Sequence, residues 1–210
     1  MFSAYSAAKK KLCGSTTPPY GKSGRQDMNA VEHIVECYFR YCKRCFTMTD
    51  VKIPAGNNRQ CDLLAYNAAT QEQYHVESSV THSKDWLLST EQLREIFDRK
   101  FRGAPPKREG KKTDHAKGKT YFDNIIQAYR SVGFDPSKVQ RIFVTWAVAD
   151  EGNLESFLAD YRSKHGMQVD VWSFRDLILP ELMRGISTGN YEDEVLRTLS
   201  LLRQRDLQTE

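Results

Sequence analysis

Between Asp27 and Cys45, apolar residues recur at Val31, Ile34, Val35, Tyr38 and Cys42, the spacing of a helix with one buried face. Phe46 to Ile53 then reads as a strand, ended by Pro54 and Gly56, and Arg59 to Tyr66 reads as a second. Asn67 to Glu72 is a short polar connection, so the next strand, Gln73 to Thr81, folds back as a hairpin. Ser83 or Ser89 caps a helix running to about Phe101, with Leu87, Leu88, Leu93, Ile96 and Phe97 apolar. A helix over Tyr121 to Val132 stops at Gly133, and Val139 to Ala149 is apolar enough for a strand buried on both faces. The remainder predicts a helix over Asn153 to Lys164, a strand over Gln168 to Trp172, and helices over Phe174 to Arg184 and Tyr191 to Arg205. The fold class is α/β.

The hairpin carries the candidate chemistry. Successive strand residues switch faces, so Tyr74, Val76, Ser78 and Val80 point one way and His75, Glu77, Ser79 and Thr81 the other. The turn brings Asp62, near the start of the first hairpin strand, within reach of Glu77. Hard cations such as Mg²⁺ use one or two carboxylates and fill the remaining positions with water and phosphate. Such an ion can activate a water and stabilise charge on phosphoryl oxygens.

At these residues the chain resembles the PD-(D/E)XK nuclease superfamily, closest in pattern to archaeal Holliday junction resolvases and Mrr-like restriction enzymes. The likeness rests on AGNNRQCDLLAY (Ala55 to Tyr66), the hairpin, HVES (His75 to Ser78) and the acid-bearing helix AVEHIVECYF (Ala30 to Phe39). It covers roughly Asn29 to Ser79, and VDVWSFRDL (Val169 to Leu177) resembles the final strand and helix of such proteins. The resemblance implies a restriction endonuclease-like core, a central mixed β-sheet flanked by helices, with extra helices at the carboxyl end. It also implies hydrolysis of DNA phosphodiester bonds with Mg²⁺ or Mn²⁺. Asp62 and Glu77 then bind the metal, and Glu32, or less readily Glu36, is the helix acid. Where the family has its lysine, two residues beyond Glu77, this chain has Ser79. A serine there can hydrogen-bond a ligand or water but supplies no charge. Some family members carry the lysine on the following helix, so Lys84, Arg94 or Lys100 is expected to replace it.

Charge adds a second feature. The segment Arg102 to Lys119 holds Arg102, Lys107, Arg108, Lys111, Lys112, Lys117 and Lys119 against Glu109 and Asp114, while the whole chain is only +4. Its prolines and glycines predict a flexible loop able to neutralise nucleic-acid phosphates without reading sequence. Residues 1–26, with five basic residues and no acids, read as a basic, flexible arm, and residues 27–210 as one domain. The longest apolar run, Ile142 to Ala149, is far short of the roughly 20 residues that span a bilayer, so a cytoplasmic protein without a membrane span is expected. The family likeness leaves room for a homodimer.

Two other readings compete. Ser79 motivates a catalytically degenerate nuclease-fold domain that binds DNA or a partner protein without cutting. Cys37, Cys42, Cys45 and Cys61 offer four thiols for zinc or an iron-sulfur cluster, although helical rotation turns Cys37 well away from Cys42. Reduced, partly buried cysteines are the simpler expectation. The five histidines show no metal spacing, and His75 falls beside Glu77.

Overall fold

The computed structural model describes residues 29–54, 59–80, 87–105, 120–149 and 151–207. Chain order is α1 (Ala30–Tyr41), β1 (Phe46–Lys52), β2 (Gln60–Asn67), β3 (Glu72–Ser79), α2 (Thr90–Lys100), α3 (Phe122–Ser131), β4 (Val139–Thr145), α4 (Glu151–His165), β5 (Val169–Ser173), α5 (Leu179–Gly185) and α6 (Glu194–Leu207). The five strands lie in sequence order in one mixed sheet. β1, β2 and β3 are antiparallel neighbours, and β3, β4 and β5 are parallel.

Both faces of the sheet are covered. Val35, Tyr38 and Phe39 of α1 pack with Leu63, Ala65, Tyr74, Val76, Ile142 and Val144, and α5 and α6 close the same side through Leu182 and Leu196. On the other side α2 and α4 enclose Phe143, and α3 packs Ile125, Ala128 and Tyr129 against Cys61 and Leu64. Phe97 is the hub of the α2 side, with ring centroids 5.3–5.9 Å from those of Phe101, Phe143, Phe157 and Tyr161. Such ring pairs add to the stabilisation from burial alone.

Local chemistry fixes the elements that carry the site. Asn29 Oδ1 accepts from the amides of Val31 and Glu32, and Glu32 Oε2 accepts from Asn29 N, a capping box that starts α1. Ser89 and Gln92 form the same box on α2. Leu93 and Phe97 are buried on α2, and Lys100 is seven and three residues further on, so it ends on the stripe that faces the sheet. Gly103 follows with φ +67°, and a Cβ there would lie 3.0 Å from Tyr121 backbone. Tyr121 N donates to Gly103 O at 3.2 Å, tying the exit of α2 to the entry of α3.

One irregularity bears on the site. Asp50 has φ 54° and lies between the pairs Thr49↔Leu63 and Val51↔Cys61, across from Asp62. Leu63 and Ala65 pack on the α1 side, yet Cys61, of the same strand parity, packs with α3. The strand pair changes sides at these two aspartates, and Gln60 Nε2 donates to the Asp50 carboxylate.

Candidate active site

β2 and β3 part where the two acids stand. Their Cα pairing runs from Asn67↔Glu72 to Leu63↔Val76. One step further the side chains take over from the ladder: Asp62 N donates to Glu77 Oε1 at 3.3 Å, and Ser78 N donates to Asp62 Oδ2 at 3.1 Å. The fork is filled by carboxylates, which satisfies backbone groups that would otherwise be left open. β4 runs beside β3, with Phe143 paired to Glu77, and closes the far edge of the site.

The structure brings Lys100 to this fork. Its Nζ lies 2.6 Å from Glu77 Oε2 and donates to both Asp62 oxygens at 3.1 Å. Glu77 is 1% exposed and the Asp62 side chain 12%, so the lysine, at 27%, is the most solvent-facing of the three. Burial pushes the Asp62 carboxyl up to about 7, helped by the Glu77 charge and opposed by Lys100. Burial works against the Lys100 charge, but Glu77 and then Asp62 outweigh it, and the net shift is upward. The ammonium therefore stays protonated through neutral pH.

Behind Glu77 lies a buried polar chain. His75 Nε2 is 2.7 Å from Glu77 Oε1, and His75 Nδ1 is 2.6 Å from Tyr129 Oη, with His75 and Tyr129 fully buried. Burial, and then Arg141, hold the His75 pKa down to about 3, so the ring is neutral. A carboxylate only accepts, which assigns the ring proton to Nε2 and makes Tyr129 the donor to Nδ1. The Arg141 guanidinium sits 5.8 Å from the Tyr129 ring centroid. Only the placement of His75 beside Glu77 is readable from the strand pattern; nothing in the helical spacing of α3 marks Tyr129 as more than a core residue.

The other expected residues divide. Glu32 stays at the start of α1, where burial and the Asp62 charge raise its pKa while the Asn29 amide opposes the shift. Glu36 turns to β1 and accepts from Thr47 Oγ1 at 2.8 Å, away from the acid pair. Ser79 ends β3 opposite Thr145. Arg94 pairs with Asp160 of α4 at 3.0 Å and does not replace the lysine. Arg102 pairs with Asp98 at 2.8 Å, which ties down one charge expected for nucleic acid. Lys84, Lys107, Arg108, Lys111, Lys112, Lys117, Lys119 and the arm 1–26 lie outside the described residues.

The cysteines do not gather. Cys37 and Cys45 pack on the α1 side and Cys61 on the α3 side, and all four described cysteines are free. Among the described residues, two groups bring three ligand-capable side chains together, Cys61 with His75 and Glu77, and His33 with Cys37 and Asp193. The second group has no counterpart in sequence spacing, because Asp193 stands 156 residues beyond Cys37. Among the described residues, no helix is long and apolar enough to cross a membrane. Compared with models of known families, with curated proteins and with solved structures, the chain matches none.

Proposed function

We propose that this chain is a metal-dependent nuclease of the PD-(D/E)XK type, with a restriction endonuclease-like core, hydrolysing DNA phosphodiester bonds. The observation that carries the reading is the contact of Lys100 with both Asp62 and Glu77 at the strand fork. It supplies from the following helix the cation that Ser79 does not. The element order also supports it: a helix, an antiparallel three-strand meander, a helical crossover, and a strand parallel to β3.

The donor set fits a hard divalent cation. Two carboxylates stand side by side, and the Asp62 carboxyl is driven up by burial and by Glu77, a crowding of negative charge that a cation relieves. Asp62 and Glu77 would hold Mg²⁺ or Mn²⁺, which when bound lowers the pKa of water and draws charge from phosphoryl oxygens. Lys100 stays charged, so it is not the base; it orients the attacking water through N–H donation and offsets charge building on the phosphoryl group. Glu32, the helix acid, would support the attacking water; burial and then the nearby Asp62 charge raise its pKa. His75 holds Glu77 Oε1 in place through its Nε2–H.

The test is Mg²⁺-dependent cleavage of duplex and branched DNA by the full chain and by D62N and E77Q. Each variant is expected to lose activity by at least about 10³-fold while keeping the wild-type circular dichroism spectrum. Unchanged cleavage by both would sink the reading. The Lys100 contact also favours a second reading, in which the ammonium permanently takes the metal's place and the domain binds DNA without cutting. Calorimetry separates the two: Mg²⁺ heat that depends on Asp62 supports the nuclease, and salt-sensitive DNA binding without that heat supports the binding domain.

A further inference from the structure

We infer that His33, Cys37 and Asp193 form a second cation site, distinct from the carboxylate fork and suited to Zn²⁺, that fastens the start of α6 to α1. His33 and Cys37 are one turn apart on α1 and present a nitrogen and a sulfur to the same side. Asp193 comes from the segment just ahead of α6. Its Oδ1 accepts from Leu196 N at 3.0 Å, which leaves Oδ2 facing α1. His33 Nε2 is 2.7 Å from that oxygen and Cys37 Sγ 4.0 Å from it, and all three ligand atoms lie within 4.8 Å of one another.

These distances are near those one ion imposes. Zinc bonds of about 2.0 Å to nitrogen and oxygen and about 2.3 Å to sulfur place tetrahedral ligands roughly 3.3–3.5 Å apart. The His33–Asp193 contact opens by about 0.6 Å and the Cys37–Asp193 contact closes by about 0.5 Å, small changes for side-chain rotation. The frame around them is fixed: Tyr41 packs edge-on against Tyr191 with centroids 6.2 Å apart, and Arg197 Nε donates to Tyr191 O at 2.8 Å. Cys37 is fully buried, whereas the His33 and Asp193 side chains are 31% and 20% exposed, so one coordination position opens to water.

The mixed donor set decides the ion. One imidazole, one thiolate and one carboxylate match borderline Zn²⁺, while Mg²⁺ avoids sulfur. Without an ion, burial and then Asp193 push the Cys37 thiol up to about 12, so its proton stays on. An incoming ion displaces that proton to solvent and takes the Nε2 lone pair, leaving the neutral imidazole proton on Nδ1.

The experiment uses the full chain, stripped with chelator under reducing conditions and titrated with Zn²⁺ against a chromophoric competitor, and in parallel with Co²⁺ as a spectroscopic probe. One equivalent is expected to bind, with a near-ultraviolet thiolate-to-cobalt band that persists in the D62N/E77Q double variant. H33Q is expected to weaken binding at least about 100-fold, C37S to remove the band, and D193N, which keeps an oxygen to cap α6, to weaken it similarly. Partly exposed His33 tolerates substitution, so H33Q remains informative if C37S fails to fold. Absence of stoichiometric binding overturns the site, as does binding unaffected by H33Q. A band that survives C37S and vanishes in C61S assigns the ion to Cys61, His75 and Glu77 and overturns it equally.

Discussion

Lys100, at the last turn of α2, touches Glu77 and Asp62 of two different strands through one nitrogen, at 2.6 Å and 3.1 Å. One ammonium thereby balances two carboxylates in a site where Glu77 has almost no access to water. Removing one partner of a buried ion pair costs about 3–5 kcal/mol, and the partial exposure of Lys100 puts K100M nearer about 2–3 kcal/mol. Urea denaturation is expected to show that drop in stability without Mg²⁺ and partial recovery with it. K100M should also slow cleavage by about 10²–10³-fold, whereas the same drop in stability with unchanged cleavage would confine Lys100 to a structural role.

The Asp62 carboxyl is expected to titrate near 7 in metal-free protein, read from its ¹³C shift. Its folded-state pKa lies above the ordinary carboxylate value, so folded protein holds the proton that unfolded chain has released. The stability it contributes is full below about pH 4 and is lost as pH rises to about 7. D62N should flatten that slope, and saturating Mg²⁺ should move the titration downward. A carboxyl titrating near its ordinary value would remove the crowding inferred at the fork.

Y129F leaves His75 Nδ1 buried without its 2.6 Å partner. The expected cost is about 1–3 kcal/mol by denaturant titration. Because Glu77 is held through the same imidazole, kcat should fall while KM for DNA changes little; equal changes in both would argue against the positioning role.

F97A removes the ring around which Phe101, Phe143, Phe157 and Tyr161 are arranged. A destabilisation of about 3–5 kcal/mol is expected, with a corresponding fall in Tm. A drop below about 1 kcal/mol would mean that α4 closes over the cavity.

Substituting Lys107, Arg108, Lys111 and Lys112 with glutamine should weaken DNA binding for all sequences alike. The log–log salt slope should shrink by up to about 0.9 for each phosphate no longer neutralised. An unchanged slope would relieve the segment Arg102 to Lys119 of any role in binding.

Periodicity made most of the elements legible, and local chemistry trimmed them. The helix expected over Asp27 to Cys45 spans Ala30 to Tyr41, because Asn29 caps it and the chain turns through Arg44 at φ 55°. The strand expected to reach Ala149 stops at Thr145, since Ala147 and Ala149 bond instead to Leu88. The helix expected from Phe174 begins as one π turn, with Leu179 N donating to Phe174 O, just before Pro180, which has no N–H to continue the ladder. At the site, Asp62 and Glu77 were readable from the hairpin pattern, and the family likeness left Lys84, Arg94 and Lys100 open as the replacing cation. The opening of the ladder at Asp62 and the left-handed Asp50 opposite were not readable, because both depend on pairing between strands rather than on the order of residues within one.

The bond from Tyr121 N to Gly103 O gives the basic segment a single point of departure and return, close behind Lys100 in sequence. Lengthening a closed loop is inexpensive, about 0.6 kcal/mol for each doubling. Residues within that clasp can therefore change in number and charge while the register of α2 and α3 on the sheet stays fixed. Under the proposed nuclease reading, contacts to nucleic acid could be exchanged there as a cassette, independent of the chemistry at the fork.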